Sequence, residues 1–288
     1  MTRVVVTGGS GKVGRATVAE LVHHGYDVIN VDAAPPRQPL CPFTLVNLTD
    51  FGQVIQAFSL IDDRYRGVDA IVHLAAIPAP GLRPNSVTFQ NNVVTTWNVF
   101  EAARQLGIRN VVWASSETLL GIPFETPPPY VPLDEEYAAR PESTYALGKL
   151  LEETMAQQFC RWDPELKLIG LRFSNVMEPE DYAAFPGFDD DAWKRKWNLW
   201  AYIDARDGAQ AVRKALELDF KGTDVFIIAN ADSVMSRPNA ELLAEVFPGV
   251  PVKRPFGPNE TLLSIEKARR VLGYAPQYTW RRVVSSDR

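Results

Sequence analysis

The sequence predicts an α/β fold, with a doubly wound parallel sheet and a small C-terminal cap. Strand and helix patterns alternate over residues 1–230, and several strands are almost continuous apolar runs, such as DAIVHLAA and NVVWASS. A strand of a parallel sheet is covered on both faces, so it loses the apolar–polar alternation of a half-exposed strand. Strands that alternate with helices are joined by right-handed crossovers, which place helices on both faces of the sheet.

Composition narrows the class of protein. The 288 residues are 46% hydrophobic and carry a formal net charge of −5, which is ordinary for a globular chain with a large core. No basic cluster extends beyond residues 194–196, so no nucleic-acid partner is expected. No apolar run approaches the roughly 20 residues of a membrane span, and the immediate start of a strand leaves no room for a signal peptide. With two cysteines, Cys41 and Cys160, the chain predicts neither a disulfide framework nor a metal site, and a cytoplasmic location is expected.

The elements are predicted in the following order. Strands are predicted at residues 3–7, 27–32, 43–47, 70–74, 110–115, 166–173 and 224–229. Helices are predicted at 11–24, 50–64, 87–106, 143–162 and 207–218. The alternation is lost at Met177 and returns only in pieces after Ala231. We therefore predict a cofactor-binding domain from residues 1–176 and 201–231, and a substrate-binding cap from residues 177–200 and 232–288.

The first strand runs into a glycine-rich turn, VVVTGGSGKVGRATV (residues 4–18). Gly8, Gly11 and Gly14 are spaced three apart, and Gly9, Gly11 and Gly14 also satisfy G-x-G-x-x-G. At this position glycines allow a tight turn, close approach of a pyrophosphate to the backbone, and close packing of helix on sheet. Free N–H groups at the start of the helix stabilise the phosphate charge. The segment predicts a dinucleotide site, the alternative being a glycine-rich turn without a ligand.

Asp32 predicts which dinucleotide is bound. It ends the second strand, where a carboxylate can accept hydrogen bonds from an adenosine ribose diol. The same carboxylate would repel a 2′-phosphate. The sequence therefore predicts NAD, while Arg37 lies close enough to leave NADP as the alternative.

The segment TYALGK supplies groups for proton transfer. Tyr145 and Lys149 are four residues apart on a predicted helix, so their side chains share one face. A tyrosine with its usual pKa of about 10 is a poor base at neutral pH, and a nearby ammonium favours the phenolate. The preceding strand ends in Ser115 and Ser116, and one of these hydroxyls could hold a substrate oxygen. By itself the pair could be an aromatic residue beside a lysine on a solvated helix face; after the glycine motif and the serines it predicts a catalytic base.

Taken in order, these motifs resemble those of the extended short-chain dehydrogenase/reductases, in the NAD-dependent epimerase/dehydratase group. The matching segments are TGGSGKVG (7–14), HLAA (73–76), NNVVTTWNVFEAA (91–103), ASSETLLG (114–121), STYALGK (143–149), LRFSNV (171–176) and YIDARDGAQAV (202–212). The resemblance implies a Rossmann fold, with Ser116 as the hydroxyl residue, Tyr145 as the base, Lys149 as its partner and Asn92 as a supporting asparagine.

The resemblance also implies a set of residues around the cofactor. They are Gly8, Gly11, Lys12, Val13, Gly14, Asp32, Asn47, Leu48, Leu74, Ala75, Ala76, Tyr145 and Lys149. Asn47 is a departure, because the family usually has an adenine-contacting aspartate there. The family also pairs two helices per subunit in a dimer; here these would be 92–106 and 144–161, the latter carrying Leu147, Leu150, Leu151, Met155 and Phe159. We expect a homodimer.

The substrate is expected to be a sugar or a sugar derivative. Sugar dehydratases of this family carry an Asp-Glu pair after the hydroxyl residue, whereas this chain has Glu117 and Thr118, which argues against elimination. The segment EPEDY (178–182) is similar to one in uronate dehydrogenases, but Ala183 stands where their arginine binds the substrate carboxylate. The predicted substrate contacts are Ser116, Glu117 and Asn175.

Two functions remain as alternatives to a sugar oxidoreductase. One is a nucleotide-sugar 4-epimerase that holds NAD tightly, although the cap is short for a nucleotide. The other is a dinucleotide sensor without catalytic activity, against which the Ser/Tyr/Lys set argues. Trp193, Trp197 and Trp200 could either stack on a sugar or form a buried helix face.

Overall fold

The apolar runs of the sequence form the strands of one parallel sheet in a computed structural model that describes residues 1–59 and 67–285. Numbered along the chain, the strands are β1 Arg3–Thr7, β2 Asp27–Asp32, β3 Phe43–Leu45, β4 Ala70–His73, β5 Asn110–Ser116, β6 Lys167–Phe173, β7 Val176–Met177, β8 Ile203–Asp204 and β9 Gly222–Ile228. Within the described residues the main sheet has seven strands in the order β3-β2-β1-β4-β5-β6-β9, and every pair is parallel. The predicted doubly wound parallel sheet is confirmed.

The helices are α1 Lys12–His23, α2 Phe51–Phe58, α3 Asn85–Leu106, α4 Thr144–Trp162, α5 Ala205–Glu217, α6 Asn239–Val246, α7 Glu266–Leu272 and α8 Trp280–Ser285. The five predicted helices correspond to α1–α5. The second prediction was too long, because α2 ends at Phe58 and Ser59 is already extended; its residues 60–64 lie outside the described residues. Across residues 1–59 and 67–285, no helix has both the length and the apolar composition needed to cross a membrane.

Both faces of the sheet are buried, which explains the continuous apolar runs. In β1, Val4 and Val6 pack into one core together with residues of α1 and α5. Val5 points to the other face and packs with residues of α2, α3 and α4. Neither face of β1 therefore has a solvent side on which polar residues would be selected.

The strand order reverses at β1, and this fixes where a ligand can bind. Thr7, the last residue of β1, lies opposite Val31 in β2 and opposite His73 in β4. Connections leave β1 and β4 toward opposite sides of the sheet, so a crevice opens beyond the carboxyl ends of these strands. The glycine loop, residues 8–14, enters this crevice directly from β1.

The segments predicted to form the cap contain α6–α8 and two 3₁₀ helices, Pro179–Phe188 and Ala192–Asn198. An aromatic group joins the two predicted cap segments to residue 202 of the predicted cofactor-binding domain: Phe185 contacts Tyr182, Tyr202 and Trp280 at ring-centroid distances of 5.2–5.7 Å. The core on this face of the sheet continues into the same residues. The division into two domains therefore stays a prediction.

The three tryptophans of this region have different surroundings. Trp200 is fully buried, and its indole N–H donates to the Ala192 carbonyl oxygen at 2.8 Å. Trp197 lines the main cavity, whereas Trp193 is exposed. The buried-face interpretation thus holds for Trp200 alone, because the segment forms a tight 3₁₀ helix followed by two left-handed residues rather than one α-helix.

Candidate active site

The glycine loop is held by two close backbone approaches. Gly8 has φ +72°, and a Cβ atom there would lie 2.5 Å from the Ala75 nitrogen. A Cβ atom at Gly14 would overlap the Gly8 carbonyl oxygen, so α1 can pack on the loop only without a side chain. Gly11 is different: it is exposed, and a Cβ atom would approach only the Gly8 oxygen, at 3.4 Å. Since packing does not require Gly11 to be a glycine, its position fits a backbone that a phosphate group must approach.

The carboxylate of Asp32 lies beside this loop at the end of β2. It accepts hydrogen bonds from the backbone N–H of Ser10 at 2.9 Å and of Ala33 at 2.7 Å. Lys12, at the start of α1, donates to Asp181 of the cap at 2.7 Å and so connects the loop to the EPEDY segment. Arg37, the residue that kept NADP as the alternative cofactor, is exposed and does not line the cavity.

A cavity of about 1070 Å³ follows the carboxyl ends of the strands from the glycine loop to the cap. Its size is at the upper end of the roughly 300–1,000 Å³ of small-molecule sites, which suits a dinucleotide together with a small substrate. All thirteen residues predicted for the cofactor line it, as do the predicted substrate contacts Ser116, Glu117 and Asn175. Their individual roles remain predictions.

Asn92 is the predicted site residue that does not line the cavity. Its Oδ1 atom accepts from the Ile77 N–H at 2.8 Å, and its Nδ2 atom donates to the Ile77 carbonyl at 3.0 Å. Ile77 itself lines the cavity. Asn92 therefore holds the cavity wall through the main chain.

Asn47, which also lines the cavity, forms a local turn. Its Oδ1 atom accepts from the Thr49 N–H at 3.1 Å and from the Thr49 hydroxyl at 2.8 Å. The Leu48 carbonyl accepts from Asn98 at 2.8 Å, which ties this segment to α3.

Tyr145 lies in the first turn of α4, which is capped by the Ser143 side chain. Its phenol group lies near the Ser116 hydroxyl, and the Nζ atom of Lys149 lies 5.9 Å from the centre of its ring. Burial raises the pKa of Tyr145, and the Lys149 ammonium and the Ser116 hydroxyl oppose this rise without cancelling it. The sequence predicted the lowering by Lys149 but not the larger effect of burial, since Tyr145 is only 7% exposed.

The two serines at the end of β5 have separate partners. Ser115 donates to Glu153 at 2.6 Å, and Glu153 also forms a buried ion pair with Arg172 at 2.8 Å. Ser116 lies near Tyr145 instead, and its Oγ atom accepts from the Thr118 N–H at 3.2 Å and from the Thr118 hydroxyl at 3.0 Å. This separation favours Ser116 as the hydroxyl that would meet a substrate.

Lys149 is hydrogen-bonded to a buried carboxylate, Glu152, which the sequence did not predict as part of the site. The Nζ atom donates to Glu152 Oε2 at 2.9 Å and to the Ala114 carbonyl at 2.8 Å. Burial alone would lower the pKa of Lys149, but Glu152, Tyr145 and Glu153 together outweigh this effect, so the pKa is raised. A glutamate three residues after a helical lysine is the available sequence signal, although this spacing is also common on solvated helix faces.

His73 extends this buried polar group toward β1. Its Nδ1 atom lies 2.7 Å from the Thr7 hydroxyl, and its Nε2 atom lies 3.1 Å from the Thr96 hydroxyl. Burial and the nearby Lys149 charge lower the pKa of His73 to about 3, so the ring is neutral. The HLAA motif thus places a neutral hydrogen-bonding ring between the strand ends and α3.

Glu117 and Asn175 line the cavity and contact polar residues of the 3₁₀ helix Ala192–Asn198. Glu117 is buried, and it accepts from the Ser174 hydroxyl at 2.6 Å and from Asn198 at 3.2 Å. Asn175 accepts from Arg195 at 3.1 Å. Burial raises the pKa of Glu117 to about 7, and its hydrogen bonds and the Arg195 charge limit the rise. Arg195 and Asn198 were not predicted as site residues.

The amino-acid sequence is similar to that of known proteins. Residues 4–229 match the sequence profile of the "NAD dependent epimerase/dehydratase family". "UDP-glucose 4-epimerase 2" of Oryza sativa subsp. japonica is 30% identical over 184 residues, covering 60% of this chain and 44% of that protein. The chain spans about half the length of the curated relatives that it matches first.

Solved structures are similar over nearly the whole chain. A short-chain dehydrogenase/reductase superfamily protein from Agrobacterium tumefaciens with bound NAD aligns with a TM-score of 0.73 and 23% identity, covering 99% of this chain and 95% of that one. A mutated uronate dehydrogenase aligns with a TM-score of 0.68 and 22% identity, covering 99% and 86%. At these identities the likeness confirms the predicted Rossmann fold. Since the profile match also covers most of the sequence, the chain belongs to the NAD dependent epimerase/dehydratase family.

Proposed function

We propose that the protein is an NAD-dependent oxidoreductase that moves a hydride between a carbinol carbon of a sugar or sugar derivative and nicotinamide. The observation that carries the proposal is one cavity with the glycine loop at one end and Ser116, Tyr145 and Lys149 toward the other. When bound, NAD supplies hydride transfer. NAD would fit this site because a phosphate group can approach the backbone at Gly11, and because the Asp32 carboxylate beside it can accept hydrogen bonds from a ribose.

The protein's own groups would move the proton. Tyr145 accepts the proton of the substrate hydroxyl, and the Ser116 hydroxyl, which lies near Tyr145, would hydrogen-bond the substrate oxygen and orient it. Lys149 holds a positive charge close to the ring and would also contact the nicotinamide ribose. NAD rather than NADP is favoured because Asp32 lines the cavity and Arg37 does not.

The substrate end supports a small polar ligand. Glu117 offers a carboxyl group and Asn175 an amide to sugar hydroxyls, and Trp197 offers an apolar ring. A uronate is less favoured, because Ala183 stands where uronate dehydrogenases have the arginine that binds the substrate carboxylate.

The name of the rice relative favours a second candidate, a nucleotide-sugar 4-epimerase with tightly held NAD. The two candidates differ in whether reduced cofactor accumulates. Purified protein should be incubated with NAD and panels of free sugars, uronates and UDP-sugars. A rise in NADH absorbance indicates a dehydrogenase, whereas a change of sugar configuration by NMR without NADH indicates an epimerase.

Failure of every substrate in both assays, with NAD bound, would favour the dinucleotide sensor. Tyr145→Phe is the matched control, since it removes one hydroxyl and retains the ring. Any activity that this variant keeps at the wild-type level does not come from the proposed site.

We also propose a homodimer in the cytoplasm. Leu147 and Leu151 on α4, and Val94 and Trp97 on α3, are exposed apolar residues on two helices that pack against each other. Phe159, named with the same helix, faces the sheet core and is 1% exposed. Cys41 and Cys160 are free thiols, which suits a reducing compartment.

A further inference from the structure

Glu152 is a carboxylate with no exposed surface, and it accepts a hydrogen bond from the Lys149 ammonium at 2.9 Å. Burying a charged pair costs desolvation energy that the attraction between the charges often only balances, so such a pair is weak support for a purely stabilising role. Within the described residues, the Oε1 atom of Glu152 has no hydrogen bond of normal geometry, because the Thr96 hydroxyl that faces this carboxylate lies 3.1 Å from His73 Nε2 instead. A pair selected for stability alone would be expected to satisfy both oxygens.

Among the described residues, Lys149 has hydrogen-bond partners for two of its three N–H groups. The ammonium carries three donors, of which one goes to the Ala114 carbonyl and one to Glu152. Lys149 also lines the cavity. Glu152 and Ala114 thus fix the directions of two N–H groups. Because the ammonium is tetrahedral, the direction of the third N–H is then fixed as well.

Glu152 also acts on Tyr145 at a distance. The Lys149 charge lowers the pKa of Tyr145, whereas the Glu152 charge raises it. The other groups around this pair are His73, which is neutral, Thr96, which faces Glu152, and Glu117, which also raises the pKa of Tyr145. Glu153 faces Lys149 but is itself paired with Arg172.

We propose that Glu152 is a positioning residue that aims the Lys149 ammonium and offsets part of its charge, and that it thereby sets the pH range in which Tyr145 can act as a base. This inference rests on the proposed function for its consequence in catalysis. Its electrostatic part concerns the protein alone and can be tested without a substrate.

The test is a titration of Tyr145 by phenolate absorbance, taken as the difference between each protein and the same protein with Tyr145→Phe. Glu152→Gln keeps the shape and removes the charge, so the Tyr145 titration should move to lower pH by roughly one pKa unit, the scale of one nearby charge. Glu152→Asp keeps the charge and should leave the titration close to that of the wild type.

Glu153→Gln is the matched control, because it removes the neighbouring buried carboxylate from an ion pair that does not include Lys149. It should lower thermal stability and leave the Tyr145 titration within a few tenths of a pKa unit of the wild type. A folded Glu152→Gln protein with an unchanged titration overturns the inference. An equal shift in Glu153→Gln overturns it as well, since the effect would then be general.

Activity gives the second measurement once a substrate is known. The acid limb of the kcat/KM profile should move to lower pH in Glu152→Gln by the same amount as the titration. If the titration shifts and no substrate turns over, the proposed function fails and the inference about Glu152 stands. If turnover is found and both the titration and the profile stay in place, the inference fails and the function stands.

Discussion

The side chain of Asn92 binds both backbone polar groups of Ile77, accepting from its N–H at 2.8 Å and donating to its carbonyl at 3.0 Å. This arrangement makes α3 the support of the cavity wall that begins after the HLAA motif. The resemblance to known dehydrogenases had implied only a supporting role for Asn92, without saying what it supports.

Asn92→Ala should therefore weaken both the fold and cofactor binding. It leaves the Ile77 groups unpaired, at a cost of about 1–3 kcal/mol in the free energy of unfolding. Asn92→Asp can still accept from the Ile77 N–H but cannot donate to the carbonyl, so its loss should be intermediate. Urea unfolding with and without NAD measures both effects. Equal stability of all three proteins would contradict the supporting role.

NAD should bind more tightly than NADP, by about tenfold or more, because the Asp32 carboxylate would repel a 2′-phosphate. Calorimetric titration measures both affinities. In Asp32→Ala the preference should narrow, while Arg37→Ala should leave it unchanged, since Arg37 does not line the cavity. Equal or tighter binding of NADP by the wild type would refute the assignment.

Three variants should distinguish the proposed roles of Tyr145 as the base, Lys149 as the anchor of the cofactor and Ser116 as the group that positions the substrate oxygen. Tyr145→Phe should lower the rate by about 10²–10⁴-fold with little change in NAD affinity, because it removes the proton acceptor and keeps the pocket. Lys149→Ala should weaken both rate and binding, and it also leaves Glu152 as an unpaired buried carboxylate. Ser116→Ala should lower the rate with near-normal binding. Steady-state kinetics and calorimetry measure these signatures, and a Tyr145→Phe variant with wild-type turnover would exclude the mechanism.

Glu117 should make stability depend on pH. Its pKa is raised from 4.5 to about 7 by burial, so between these values the folded chain binds the proton more tightly than the unfolded chain. The contribution of Glu117 to the free energy of unfolding therefore falls as pH rises, by about 2 kcal/mol between pH 5 and pH 8. Glu117→Gln should remove this fall. Urea unfolding of both proteins at the two pH values measures the difference, and parallel behaviour would show that Glu117 does not titrate in this range.

The proposed dimer should depend on the exposed apolar residues of α3 and α4. Trp97→Glu and Leu147→Glu place a charge on side chains that are 42% and 43% exposed, so they should dissociate the dimer without unfolding the monomer. Leu45→Glu is the control, because Leu45 is more exposed but lies on the edge strand β3. Light scattering at micromolar concentration gives the mass. A monomeric wild type would refute the proposal.

The sequence predicts the parts of the site that depend on local pattern. Gly8 and Gly14 follow a strand and begin a helix, and Tyr145 and Lys149 share a helix face, so spacing alone brings each pair together. Strand bounds agree within about two residues for the same reason, since burial on both faces leaves an unbroken apolar run.

The residues that were missed depend on tertiary placement. Arg195 lies in the run Lys194-Arg195-Lys196, which is typical of a solvated surface, yet the 3₁₀ helix at 192–198 buries Arg195 and leaves its neighbours exposed or half-buried. Glu152 resembles one member of an exposed helical charge pair, and the packing of α4 on α3 and on the sheet makes it internal. The net rise in the pKa of Tyr145 has the same origin, because the degree of burial is not a local property.

The close fit of Gly8 against Ala75, and of Gly14 against the Gly8 carbonyl, has a consequence for the kinetics of binding. A loop locked at both ends by backbone contacts has little conformational entropy left to lose when a pyrophosphate arrives. Association should then be limited by diffusion and orientation rather than by a slow rearrangement of the loop, so that differences in affinity among dinucleotides appear mainly in their dissociation rates.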